Sequence, residues 1–234
     1  MKHTYFLCSL ALLGSAQVSA AILEAIPTPV QQGGMIHTMV TFTDQPTGTF
    51  SIMQEPGIPV MQPLTAWSPG DTFDPADPWY TTLDPSQGDL PFNSQYGLMV
   101  NGGASDPLPG GKSLGIRVTD IDAGLEGYFY STAGAGTFDL VLGDVGDAVQ
   151  WSGNMWHPVF VADGPGSYDV TLQFFIIDAP FSGFVSPTSA LADPNFAMGE
   201  VTLTLTAVPE PSTYALAVGF VCLGAVMLIR RKRK

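Results

Sequence analysis

The chain has 234 residues, with 8 Lys+Arg against 21 Asp+Glu for a net charge of −13, and 45% of it is hydrophobic. That length fits one domain or at most two, and the apolar fraction excludes wholesale disorder. With Gly 26, Pro 20 and only 12% charged residues, the composition favours a turn-rich β protein, and the acidic balance excludes a nucleic-acid partner, which needs a basic face.

In chain order, the first element is a secretory leader. Lys2 and His3 give a short polar start, and an apolar run follows over 5–13. Val18-Ser19-Ala20 then places small residues at the −3 and −1 positions of a cut between Ala20 and Ala21, the pattern that a signal peptidase reads. The run is too short for a stable membrane span. Residues 1–20 are therefore expected to be removed on export.

Residues 21–207 keep 20 of the 21 acidic residues and only Lys112 and Arg117 as cations. Such a surface stays soluble and repels anionic membranes and nucleic acids. Both cysteines, Cys8 and Cys222, lie outside this region, so it folds without a disulfide despite an oxidising compartment. Apolar and polar residues alternate along it, the signature of half-buried strands. Phe138, Leu140 and Leu142 share one face of 136–143. Tyr168, Val170, Leu172, Phe174 and Ile176 share one face of 167–177, and Val201, Leu203 and Leu205 one face of 199–207, with Thr202, Thr204 and Thr206 outward. Shorter runs stand at 35–43, 48–53, 97–100, 113–119, 125–131 and 158–161. Eight or nine such strands separated by Gly, Pro, Asn and Asp predict an all-β protein with a single jelly-roll-like β-sandwich. Residues 54–96 differ: they hold eight prolines together with Trp67, Trp79 and Tyr80. A long irregular stretch with aromatics predicts an ordered insertion packed on the sandwich. No convincing helical period is found between the two ends.

The C-terminal end has three parts. Val208-Pro209-Glu210-Pro211-Ser212 leads into an apolar run, expected as a transmembrane helix over 214–229, and the chain closes with Arg230, Arg231, Lys232, Arg233 and Lys234. Sixteen residues span about 24 Å as a helix, slightly under the ~30 Å hydrocarbon core, which bilayer thinning accommodates. The basic cluster holds that end in the cytoplasm. This arrangement over 208–234 resembles the PEP-CTERM sorting signal of bacteria, a tail also labelled an ice-binding protein C-terminal domain without implying ice binding. The resemblance implies processing by an exosortase, a membrane-embedded transpeptidase. It also implies a place in the cell envelope, surface or extracellular matrix of an exopolysaccharide-producing, biofilm-forming cell, after transient anchoring in the inner membrane. The order Val149-Gln150-Trp151-Ser152-Gly153-Asn154-Met155-Trp156-His157-Pro158-Val159-Phe160, running on to Pro165-Gly166-Ser167-Tyr168, is similar to that of PEP-CTERM surface proteins linked to zinc-responsive regulation, which implies a zinc-related position at His157.

Hard cations such as Ca²⁺ want clustered carboxylates; Asp71, Asp74 and Asp77, the pair Asp120 and Asp122, and the pair Asp144 and Asp147 qualify, though each also suits a turn. Zn²⁺ needs three or four ligands, and His157 with nearby carboxylates is a weaker candidate than the calcium sets. Trp67, Trp79, Tyr80, Trp151 and Trp156 offer ring faces on which the sugars of an exopolysaccharide stack, or else serve packing. Gly111-Lys112-Ser113-Leu114-Gly115 has the G-x-S-x-G spacing, but a nucleophile elbow needs a strand before the serine and a helix after it. No acid/base pair singles itself out, so a non-catalytic structural or adhesive role is expected. Carbohydrate binding and Ca²⁺ or Zn²⁺ binding are the alternatives, with a hydrolase behind them.

Overall fold

A computed structural model describes residues 22–23, 25–43, 48–102, 108, 110–131, 136–183 and 198–208. The expected leader with Ala20 and Ala21, and everything from Pro209 onward, including Pro209, Glu210, Pro211, Ser212, the helix expected over 214–229 and the basic residues 230–234, lie outside the described residues. Among the described residues no helix is long and apolar enough to cross a membrane.

The elements run β1 (Ile22–Leu23), β2 (Ile36–Thr43), β3 (Thr49–Gln54), β4 (Val60–Met61), α1 (Leu64–Trp67), β5 (Thr72–Phe73) and α2 (Tyr80–Leu83). After a 3₁₀ turn at Pro85–Gln87 come β6 (Phe92–Asn93), β7 (Tyr96–Val100), β8 (Ser113–Ile121), β9 (Leu125–Ser131) and β10 (Thr137–Leu142). The last four are β11 (Ala148–Trp151), β12 (Val159–Ala162), β13 (Gly166–Ile177) and β14 (Gly199–Ala207). The protein is all-β, as its alternation predicts. A five-stranded sheet has the order β11-β8-β13-β14-β4, a four-stranded sheet β10-β9-β12-β6 and a three-stranded sheet β3-β2-β7; β1 and β5 form a separate pair.

Period-two patterning explains the long strands. Tyr168, Val170, Leu172, Phe174 and Ile176 of β13 are all buried, as are Leu203 and Leu205 of β14. At its end β13 also buries Phe175 and Ile177, so both faces are covered there. The main core is filled by these side chains together with Val40 and Phe42 of β2, Leu98 of β7, Leu125 of β9, Leu142 of β10 and Phe160 of β12. One face assignment needs correction. The pairing of β10 with β9 shifts between Leu140 and Leu142, and an extra residue in one strand turns the residues beyond it to the other face. Leu142 is therefore fully buried while Leu140 is 50% exposed.

The proline-rich stretch is ordered, but it is more than an appendage. It supplies β4, which pairs with β14, and β6, which pairs with β12. Between them α1 and α2 are single turns, too short to show helical periodicity. Proline fits such turns, since it fixes φ without needing a hydrogen-bond donor. Pro85 opens the 3₁₀ turn, capped by the Asp84 carboxylate, which accepts from the Ser86 N–H at 2.9 Å. Leu64, Trp79 and Leu83 from this stretch form a second core with Ile26, Phe92, Tyr128, Val159 and Val161. Thus β12 sends Phe160 and Ala162 into one core and Val159 and Val161 into the other.

Candidate functional site

The fold scatters the candidate side chains widely. Asp74 accepts a hydrogen bond from the Ala76 N–H at 2.9 Å, and the Asp77 N–H donates to the Asp74 carbonyl at 3.1 Å. The Asp71 N–H donates to the Ser68 carbonyl at 3.2 Å. Asp122 accepts from the Asp169 N–H at 2.8 Å, while Asp120 stays exposed opposite Thr171. Asp147 accepts from the N–H groups of Gly143 and Asp144 at 2.8 and 2.9 Å. Asp74 and Asp147 thus satisfy backbone donors at turns, the ordinary use of Asp, and Asp122 satisfies one in β13. Among the described residues no group of three or more His, Cys, Asp or Glu is placed to hold a metal ion.

His157 occupies a defined niche. Its Nδ1 lies 3.1 Å from the Ser94 carbonyl; a carbonyl only accepts, so Nδ1 carries the proton. Burial holds the imidazole below its usual pKa, the carbonyls of Ser94 and Tyr96 pull the other way, and His37 adds to the lowering. His37 itself pairs with Glu55, Nδ1 to Oε2 at 2.8 Å. The His37 N–H also donates to that oxygen at 2.8 Å, and these bonds lower the Glu55 pKa, the backbone one most.

The aromatic set needs correction too. Trp79 and Trp151 are fully buried and Trp156 is 5% exposed. Trp79 meets Phe73 edge-on at 6.3 Å, and Trp151 packs on Phe174 at 5.9 Å. The rings of Trp79 and Trp151 belong to the cores, where no sugar can reach them. Trp67 and Tyr80 are half-buried; the Trp67 Nε1–H is tied to the Gln62 carbonyl at 3.0 Å. Ser113 is also buried, at the start of β8 and followed by strand, so the G-x-S-x-G spacing does not form an elbow.

Two clefts combine residues that the sequence singled out, Asp122 and Asp144 in one and Trp156 and His157 in the other, with residues that it did not. The larger, about 720 Å³, is lined by Leu90, Leu125 and Val145 and by the acids Asp122, Glu126, Asp144 and Asp163. Among the described residues no basic one lines it. Its acids come from the β8–β9 turn, β9, the β10–β11 turn and the β12–β13 turn, so only tertiary structure assembles it. The Tyr128 hydroxyl donates to Glu126 at 2.6 Å and the Tyr168 hydroxyl to Asp163 at 3.1 Å. Burial, then the Glu126 carboxylate, pushes Tyr128 up to about 12.

The smaller cleft, about 360 Å³, is lined by Thr28, Phe129, Tyr130, Met155, Trp156 and His157 among others. Phe129 and Tyr130 keep part of their surface open. Alternation in β9 sends Tyr128 to the second core and marks Tyr130, two residues on, as its neighbour on that face; Phe138 stacks on Tyr128 at 4.5 Å and meets Tyr130 edge-on at 6.1 Å. Set against known proteins, the chain matches no protein-family model and no curated protein.

Proposed function

We propose that this is an exported bacterial surface or extracellular-matrix protein. Its domain over 21–207 is structural or adhesive, with no catalytic role, and its tail is an exosortase substrate. The observation that carries this reading is the order Val208-Pro209-Glu210-Pro211, apolar run, basic cluster, preceded at the other end by a signal-peptide pattern. The tail would hold the protein in the inner membrane, basic end in the cytoplasm, until processing releases it to the envelope. The acidic surface keeps such a domain soluble and away from anionic lipid. Within this reading the domain is a jelly-roll-like β-sandwich, with the five-stranded sheet as one layer and the three- and four-stranded sheets as the other. The shared core between them supports that layering.

The test is replacement of Pro209, Glu210 and Pro211 by alanine in the native host. Unprocessed protein should accumulate in the membrane fraction; processing at the normal rate would overturn the assignment of the motif.

A second reading, exopolysaccharide binding, is favoured by the 360 Å³ cleft. Part-open Phe129 and Tyr130 there stand beside the polar groups of Thr28 and His157, the mixture of apolar faces and a few polar groups that ligand sites use.

A further inference from the structure

The outward face of the three-stranded sheet carries ligands of a different chemistry. In β2, Thr38, Val40 and Phe42 are buried, so His37, Met39 and Thr41 take the opposite face. In register, Met39 stands opposite Met53 of β3 and opposite Met99 of β7. One rung away, His37 stands opposite Gly97.

The segment after β11 extends this sheet. Leu98 and Trp156 form an antiparallel bridge, with N–H to carbonyl distances of 2.8 and 2.9 Å. One step in each direction brings His157 beside Gly97 and Met155 beside Met99. The first pairing is visible directly: the His157 Cε1 lies 2.8 Å from where a Gly97 Cβ would stand. Met53, Met39, Met99 and Met155 therefore form one row across four neighbouring segments, and His37 and His157 stand on the next rung.

This row is in contact with solvent. Met53 is 56% and Met155 46% exposed, whereas Met61 is buried in the core at 0%. Met39 and Met99 are half-buried. Neighbours on one face of adjacent strands have Cβ atoms about 4.5–5.5 Å apart. Three rotatable bonds let each thioether turn toward its neighbour, so sulfurs from adjacent strands reach a common ion between them. Thioether sulfur is a soft, neutral donor and selects Cu(I) over Zn²⁺ or Ca²⁺. It needs no deprotonation, so loading survives the acid range in which imidazole and carboxylate sites release their ion. The acidic surface raises the local concentration of any cation.

We propose that Met39, Met53 and Met99 bind a soft monovalent metal ion of the Cu(I) type, with Met155 and the imidazoles of His37 and His157 at the rim. Binding is coordination of an ion that arrives reduced; no electron is transferred. The site is independent of how the tail is processed.

The experiment uses the full-length chain carrying Cys8→Ser and Cys222→Ser, so that no thiol competes for the copper, in a mild non-ionic detergent, kept anaerobic and titrated against Cu(I) held as its coloured bicinchoninate complex; this chain serves as the wild type for the methionine variants. The wild type should withdraw one equivalent, at pH 5.5 as well as pH 7, and X-ray absorption of the bound copper should show a sulfur shell. Met39→Leu/Met99→Leu conserves core-like volume. It should weaken binding by at least the ~10–100-fold that loss of even an outer-shell partner costs. Met53→Leu changes an exposed side chain, so it tests the site without touching the fold, and Met61→Leu should bind as wild type. Failure of the wild type to withdraw copper would overturn the proposal. So would retention of full affinity by both the Met53→Leu and the double variant, or a copper shell of nitrogen and oxygen alone.

Discussion

Substitution of Gly124 by alanine tests how the rim of the acidic cleft is built. Gly124 has φ +86°, and a Cβ there would stand 2.4–2.5 Å from the Asp163 carboxylate. The cost has two parts. A left-handed conformation costs an L-residue about 1–2 kcal/mol. The Asp163 side chain is exposed and can swing into water, but it then loses the Tyr168 hydroxyl at 3.1 Å, a bond worth about 0.5–1.5 kcal/mol. Gly124→Ala should therefore cost about 2–3 kcal/mol. For a domain of this size that lowers Tm by roughly 4–12 °C. Gly111 supplies the control: its φ is +81° and nothing lies within 4 Å of its would-be Cβ, so Gly111→Ala should cost only the backbone share. Asp163→Ala alone removes the hydrogen bond, and Gly124→Ala/Asp163→Ala should be no less stable than Gly124→Ala, because the same bond is lost once. Thermal melts of the four variants decide the matter. Equal losses for Gly124→Ala and Gly111→Ala, or strict additivity in the double variant, would refute the reasoning.

Acidification should destabilise the protein in two separate windows. His157 has a folded pKa below the usual 6.5, chiefly through burial, so the unfolded chain takes up its proton first. Its stabilising share is full above pH 6.5 and shrinks as the pH falls toward the folded value; His157→Gln should flatten the slope of Tm between pH 7 and 5. Glu55 is lowered from 4.5 by its bonds to His37, so Glu55→Gln should change the slope only as the pH falls below about 4.5 and through the folded value. An unchanged slope in either variant's own window would count against that assignment. For the polysaccharide reading, Tyr130→Ala should weaken binding of the host's own exopolysaccharide by about 2- to 10-fold, the size of one lost aromatic stack. Trp fluorescence titration measures it, and equal affinity of variant and wild type would remove the 360 Å³ cleft as the sugar site.

The strands were the legible part of the fold. Alternation located β2, β3, β7, β8, β9, β10, β12, β13 and β14 within a residue or two, because a half-buried strand must repeat every second residue. It missed β11, four residues long, and the two-residue strands β1, β4, β5 and β6, which lack the length to show a period. It also misplaced Leu140, since a register shift depends on the partner strand as well as on the strand itself. Local sequence offers Trp79 and Trp151 both as core and as sugar platforms, with packing the commoner use of so large a side chain. Only the cover that the proline-rich stretch and the facing sheet put over them makes them core.

The candidate sites were far less legible. Met35-Ile36-His37-Thr38-Met39 is the local trace of the methionine face, yet Met53, Met99 and Met155 join it only through strand pairing. The acidic cleft likewise collects Asp122, Glu126, Asp144 and Asp163 from four separate stretches.

By itself the sequence determined the all-β class, the charge, the absence of cysteine from residues 21–207 and the apolar runs near its two ends, because composition and local spacing are enough to specify these. Tertiary structure alone decided which aromatics are buried, which carboxylates line one cleft and which thioethers share one row. Those properties depend on register and on contacts between residues far apart in the chain, and local periodicity carries no record of either.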